Sequence, residues 1–112
     1  MEAPIDPHLF PYADHVLDRI EADAEVASNL RDAVRAGEGL VLDFHPHSGG
    51  GAEWCAAIRV ESDGRDLVHL QGVVRTREDC GPMARALAGL IAVRHRLREP
   101  PRIVVGGAPL LS

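Results

Sequence analysis

A chain of 112 residues with 46% apolar and 26% charged side chains has the balance of one globular domain, residues 1–112. Only 4% of residues are aromatic, so the core must be built mainly from Val, Leu, Ile and Ala. A formal net charge of -5 argues against nucleic-acid binding, and all 12 basic residues are Arg, which excludes a Schiff-base, pyridoxal-phosphate or P-loop lysine.

Residues 1–11 carry Pro4, Pro7 and Pro11 and read as an irregular lead-in. The opening residues include early acids and no basic stretch, and no apolar run approaches membrane-spanning length. The expectation is a cytoplasmic protein with no membrane partner. From Tyr12 to Ala36 the pattern is helical: Val16, Ile20, Ala27, Leu30 and Val34 recur at steps that fit a helix, and Gly37 is a natural stop. Asp23 is placed to cap a second helix if the run breaks at Glu21–Ala24.

Leu40, Leu42 and Phe44 then alternate with Val41, Asp43 and His45, the period of a half-buried strand. After a glycine loop, Trp54, Ala56, Ile58 and Val60 alternate with Cys55, Ala57 and Arg59, and Asp63-Gly64 signals a hairpin. Val68, Leu70, Gly72 and Val74 mark the inward side of a third strand, with His69 and Gln71 outward. Gly81-Pro82 reads as the start of a second helical region whose buried stripe is Met83, Leu87, Leu90, Ile91 and Leu97. Pro100-Pro101 ends it, Arg102–Val105 forms a short fourth strand, and residues 108–112 read as a loose tail. The order α-β-β-β-α-β gives an α+β fold: a three-stranded antiparallel meander, a short fourth strand, and helices on one sheet face. An alternative makes residues 52–61 helical and the fold a small α/β one; the β-branched Ile58 and Val60 and the Asp-Gly turn favour the hairpin.

The segment Asp43–Cys55 concentrates reactive side chains. If Phe44, Trp54 and Ala56 face the core, then Asp43, His45, His47, Glu53 and Cys55 face outward. A five-residue loop sets His45 opposite Cys55; a three-residue loop sets Asp43 opposite Cys55. His69 from the third strand can join them. Two imidazoles and a thiolate form an acceptable zinc set with an open position for water, so His45, His47, Cys55 and His69 are the candidate ligands. As a bland alternative, His-x-His occurs on ordinary exposed strands, and Pro46 serves to protect an edge.

Cys80, in Glu78-Asp79-Cys80-Gly81-Pro82-Met83, is a nucleophile or redox candidate, because a thiolate just ahead of a helix is stabilised by the dipole. Cys80–Met83 resembles the Cys-Gly-Pro-Cys of thioredoxins, with Met83 in place of the resolving cysteine. Its neighbours Glu78 and Asp79 act the other way, raising the thiol's pKa. Asp43–Gly50 and Arg102–Leu110 together resemble two pieces of the cobalamin-binding domain. That resemblance implies His45 as lower axial ligand of cobalt, Asp43 as its hydrogen-bonding partner, and Gly106-Gly107 facing the nucleotide tail. Ser48 stands at the motif glycine, however, and the interval after His45 is too short for the family's helix-strand-helix.

Charge is unevenly placed. Residues 1–36 hold eight acids and three Arg, and residues 81–112 hold one acid and five Arg. Such asymmetry suits a match between helices within the chain or contact between subunits, and it makes Arg94, Arg96 and Arg98 candidates for gripping an anion or an acidic partner. Val41, Ala57, Leu67 and Val73 on the outer sheet face suggest an apolar surface for another protein or a second copy in a homodimer. The expected function is therefore a small accessory or protein-interaction domain without catalytic activity. The alternative is a metal-binding module, or a small metal- or thiol-dependent enzyme, using the outer sheet face or Cys80.

Overall fold

The computed structural model describes residues 10–46 and 53–109. The fold is α+β, with helices packed on a mixed sheet. Helix α1 spans Phe10–Ala22 and α2 Ala24–Arg35; strands β1 (Leu40–Pro46), β2 (Trp54–Val60) and β3 (Asp66–Val74) follow. Helix α3 covers Arg77–Arg94, and β4 (Arg102–Val105) and β5 (Ala108–Pro109) complete the order. None of the helices is long and apolar enough to cross a membrane, among the described residues.

Local chemistry sets the boundaries. The Asp23 carboxylate accepts from the backbone N–H groups of Glu25 and Val26 at 3.0 and 3.2 Å, capping α2 where the sequence suggests a break. Gly37, at φ 75°, closes α2 as the Gly37 N–H donates to the Val34 carbonyl and Glu38 to Ala33. Buried Ala13, Val16, Leu17 and Ile20 form the inner stripe of α1.

The sheet order is β3-β2-β1-β4-β5. Strands β1, β2 and β3 form the expected antiparallel meander, so residues 54–60 are strand and the helical alternative for 52–61 does not hold. Strand β4 lies parallel to β1, with Leu42 opposite Ile103, so α3 carries the chain from one side of the meander to the other. Leu40, Leu42, Phe44, Ala56, Ile58 and Val60 face one core with Leu17, Leu30, Met83, Leu87 and Ile91.

Three expectations need correction. The last helix begins at Arg77, not at Gly81-Pro82: Thr76 is the cap, its hydroxyl accepting from the Asp79 N–H at 3.3 Å and donating to the Asp79 carboxylate at 2.9 Å. That reciprocal pair starts the helix a turn early, and Pro82 is carried inside it. Part of the expected loose tail, Ala108-Pro109, is paired antiparallel to β4; Gly106 and Gly107, both at positive φ, make the two-residue turn that allows it.

The third correction concerns β3. Strict alternation puts Leu67 and Val73 on the outer face, yet they are 9% and 5% exposed and belong to the core. The β2–β3 register shifts between Trp54 and Ala56 and again between Ile58 and Arg59. Irregularities at both ends of β3 turn the flanking residues, whereas His69 in the regular middle stays exposed.

Candidate metal centre

The β1–β2 hairpin adopts the longer-loop register, with His45 opposite Cys55 and Asp43 opposite Ala57. On the other side of β2, His69 lies opposite Ala57, diagonally across from Cys55. Three adjacent strands thus deliver one donor each to the face away from the helices. The donor atoms of His45, Cys55 and His69 lie within 4.8 Å of one another, an arrangement that could hold a metal ion.

The two imidazoles meet above the central strand. Their Nε2 atoms are 3.1 Å apart, with ring centroids at 5.2 Å and planes tilted by 36°. Two nitrogens on one tetrahedral zinc, at bond lengths of ~2.0–2.1 Å, would be separated by ~3.3 Å, so the rings already stand close to chelating distance. Cys55 is 2% exposed, His45 half-buried and His69 exposed, so the group opens to solvent on the β3 side. The Nδ1 atom of His45 is buried and has no hydrogen-bond partner among the described residues. His47, the fourth candidate ligand, lies outside the described residues.

Asp43 belongs to a different constellation. Its carboxylate pairs with Arg59 at 3.2 Å, and Arg59 also reaches Asp66 at 2.8 Å. The chain continues from β1 into an antiparallel hairpin, so neither the Asp43–His45 partnership nor the topology implied by the cobalamin-domain resemblance is present. Sequence reasoning did not single out Arg59; its place between Asp43 and Asp66 depends on the register of all three strands.

Cys80 is placed differently from the expectation. It sits inside α3 rather than ahead of it, is fully buried, and its thiol donates to the Thr76 carbonyl at 3.6 Å. Burial pushes the thiol from 9.0 up to about 11, with Asp79 adding to the rise and Arg77 opposing it. Such a group is a neutral packing side chain at physiological pH, and the thiolate that a nucleophilic or redox role requires is disfavoured.

The basic end of α3 is matched within the chain. Arg94 pairs with Asp14, with Asp18 at 2.8 Å and with Glu21 at 2.9 Å, so it is committed to α1 rather than free for an anion. Burial opposes its charge, but the carboxylates of Asp18, Asp14 and Glu21 prevail and hold the guanidinium above its ordinary pKa. His95 adds a 3.3 Å contact to Glu21. Arg96 and Arg98 are exposed.

The expected apolar surface is not available as drawn. Leu67 and Val73 lie in the core, Ala57 is 0% exposed, and Val41 is only half-buried. Val93 is the sole large hydrophobic side chain with high exposure among the described residues. Comparison with protein-family models, curated proteins and solved structures finds no match.

Proposed function

We propose that this chain is a small metal-binding module that holds one zinc ion on its outer sheet face through His45, Cys55 and His69. The observation that carries the reading is the convergence of two imidazole nitrogens and a thiol sulfur from three neighbouring strands to within 4.8 Å. The donor types point to a borderline-soft transition metal rather than calcium or magnesium, which take oxygen ligands. Copper accepts the same two-His, one-Cys donors, its blue sites adding a weak axial methionine, glutamine or backbone oxygen, and Met83 is buried in the core against the opposite sheet face. Three protein donors leave a tetrahedral zinc one position for water or an outside ligand, and the exposure of His69 gives that position access to solvent. Cys55 and Cys80 are free thiols, a state that a reducing, cytoplasmic setting would preserve.

Cobalt(II) titration of the reduced chain tests the reading. One equivalent should produce a thiolate-to-cobalt charge-transfer band together with the intense visible bands of tetrahedral cobalt, and zinc should bleach both. Cys55→Ser should remove the charge-transfer band, while Cys80→Ser should leave it. A spectrum without thiolate character in the unmodified chain would overturn the proposal.

A further inference from the structure

We infer that the metal acts as the register lock of β3, fixing an edge strand whose own side chains specify its pairing weakly; this rests on the metal-binding reading above. Strand β3 is the outer strand on its side of the sheet. Its regular pairing with β2 is confined to Ala56–Leu70, Ala57–His69 and Ile58–Val68, with register shifts on both sides.

The side chains of β3 do not resolve this ambiguity. In β1 the alternation is sharp: Leu40, Leu42 and Phe44 are buried, while Val41, Asp43 and His45 are only half-buried. In β3 large apolar side chains occupy both phases, Leu67 and Val73 on one and Val68, Leu70 and Val74 on the other. A slip by one residue reverses which phase faces the helices, and where one face is strictly apolar that exchange is heavily penalised. Here both phases already contribute to the core, with Leu67, Val73 and Val74 buried and Val68 and Leu70 packed against it, so apolar burial separates the phases less sharply than in β1. His69, which shares its phase with Gln71, is the exposed polar side chain at the centre of the regular segment.

A metal held by His45 and Cys55 makes the distinction between the phases strong. A one-residue slip turns His69 toward the helices, away from the other two ligands. A two-residue slip restores its face but carries it ~7 Å along the strand, far beyond a coordination bond of ~2.0–2.1 Å. Only the observed pairing, with His69 opposite Ala57, keeps all three donors together. Zinc binding is thus coupled to ordering of β3, an edge strand of the sheet.

Hydrogen exchange on the full chain, followed by mass spectrometry with and without zinc, tests the coupling, with zinc occupancy read from native mass spectra of the same samples. Amides of β3 that bond to β2 should exchange faster than those of β1 without zinc. With zinc bound they should slow roughly tenfold or more, approaching the β1 rates. His69→Gln should lose this gain. If zinc is retained while β3 exchange is unchanged, or if β3 is already as protected as β1 without zinc, the lock is refuted and the metal site stands. If the unmodified chain retains no zinc, both proposals fall.

Discussion

Raising the pH above about 9 should weaken the fold through one buried thiol. Cys80 is fully enclosed, its Sγ donates to the Thr76 carbonyl, and burial followed by the Asp79 charge lifts its pKa from 9.0 to about 11. Between those values the unfolded chain has released the thiol proton and the folded chain has kept it. The unfolded state then binds fewer protons, so stability is fully present below pH 9 and falls as pH rises through the window. The slope is bounded by ~1.4 kcal/mol per pH unit, which limits the whole effect to ~3 kcal/mol and puts the loss between pH 8 and 10 at ~1.3 kcal/mol. Urea unfolding followed by the fluorescence of the single Trp, Trp54, measures it in the unmodified chain and in Cys80→Ala. Other groups titrate in both chains and cancel in the difference. The stability gap between the two should shrink by ~1.3 kcal/mol on going from pH 8 to pH 10. A gap that stays constant would refute the burial argument.

Replacing Arg94 by Met strands the carboxylates of Asp14, Asp18 and Glu21. Two of these pairs are well exposed, so the summed loss should be only ~2 kcal/mol, seen as a lower urea midpoint and reduced by high salt; an unchanged midpoint would show that the clamp does not hold α1 to α3. Arg96 adopts φ 54° just beyond α3, where Leu97 donates back to the Ala92 carbonyl. Arg96→Gly should therefore raise stability by ~1 kcal/mol in thermal unfolding, and a lower melting temperature would contradict the assignment of a left-handed cap. Gly107 sits at φ 84° with open space around its Cα, so Gly107→Ala should cost ~1 kcal/mol from backbone strain alone, again by thermal unfolding. Cys55→Ala should weaken zinc binding ~10²–10³-fold in chelator competition, taking each ligand as a quarter of the ~10–16 kcal/mol of a four-ligand site.

The parts of the fold legible in the sequence were those set by local chemistry. Asp23 capped α2 because its carboxylate meets backbone N–H groups two and three residues on, and Gly37 ended that helix because the residue after Ala36 adopts positive φ, which glycine takes without strain. The alternation in residues 40–44 and 54–60 defined a hairpin whose facing sides put His45 beside Cys55, leaving two registers between which the loop decides. The parts that escaped depended on competition or on distance. Gly81-Pro82 is a good helix opening, but the reciprocal Thr76–Asp79 cap lies upstream and wins. Period two assigned Leu67 and Val73 outward, and two register irregularities turned them inward. The charge asymmetry suggested a match between helices, but nothing local singled out Arg94 as the residue meeting three carboxylates of α1.

The central claim concerns which atoms hold the metal, and zinc K-edge X-ray absorption on the chain loaded with one equivalent reads them directly. The account predicts one sulfur at ~2.3 Å and imidazole nitrogens at ~2.0 Å, with the sulfur lost in Cys55→Ser and kept in Cys80→Ser. A first shell of nitrogen and oxygen alone would contradict it.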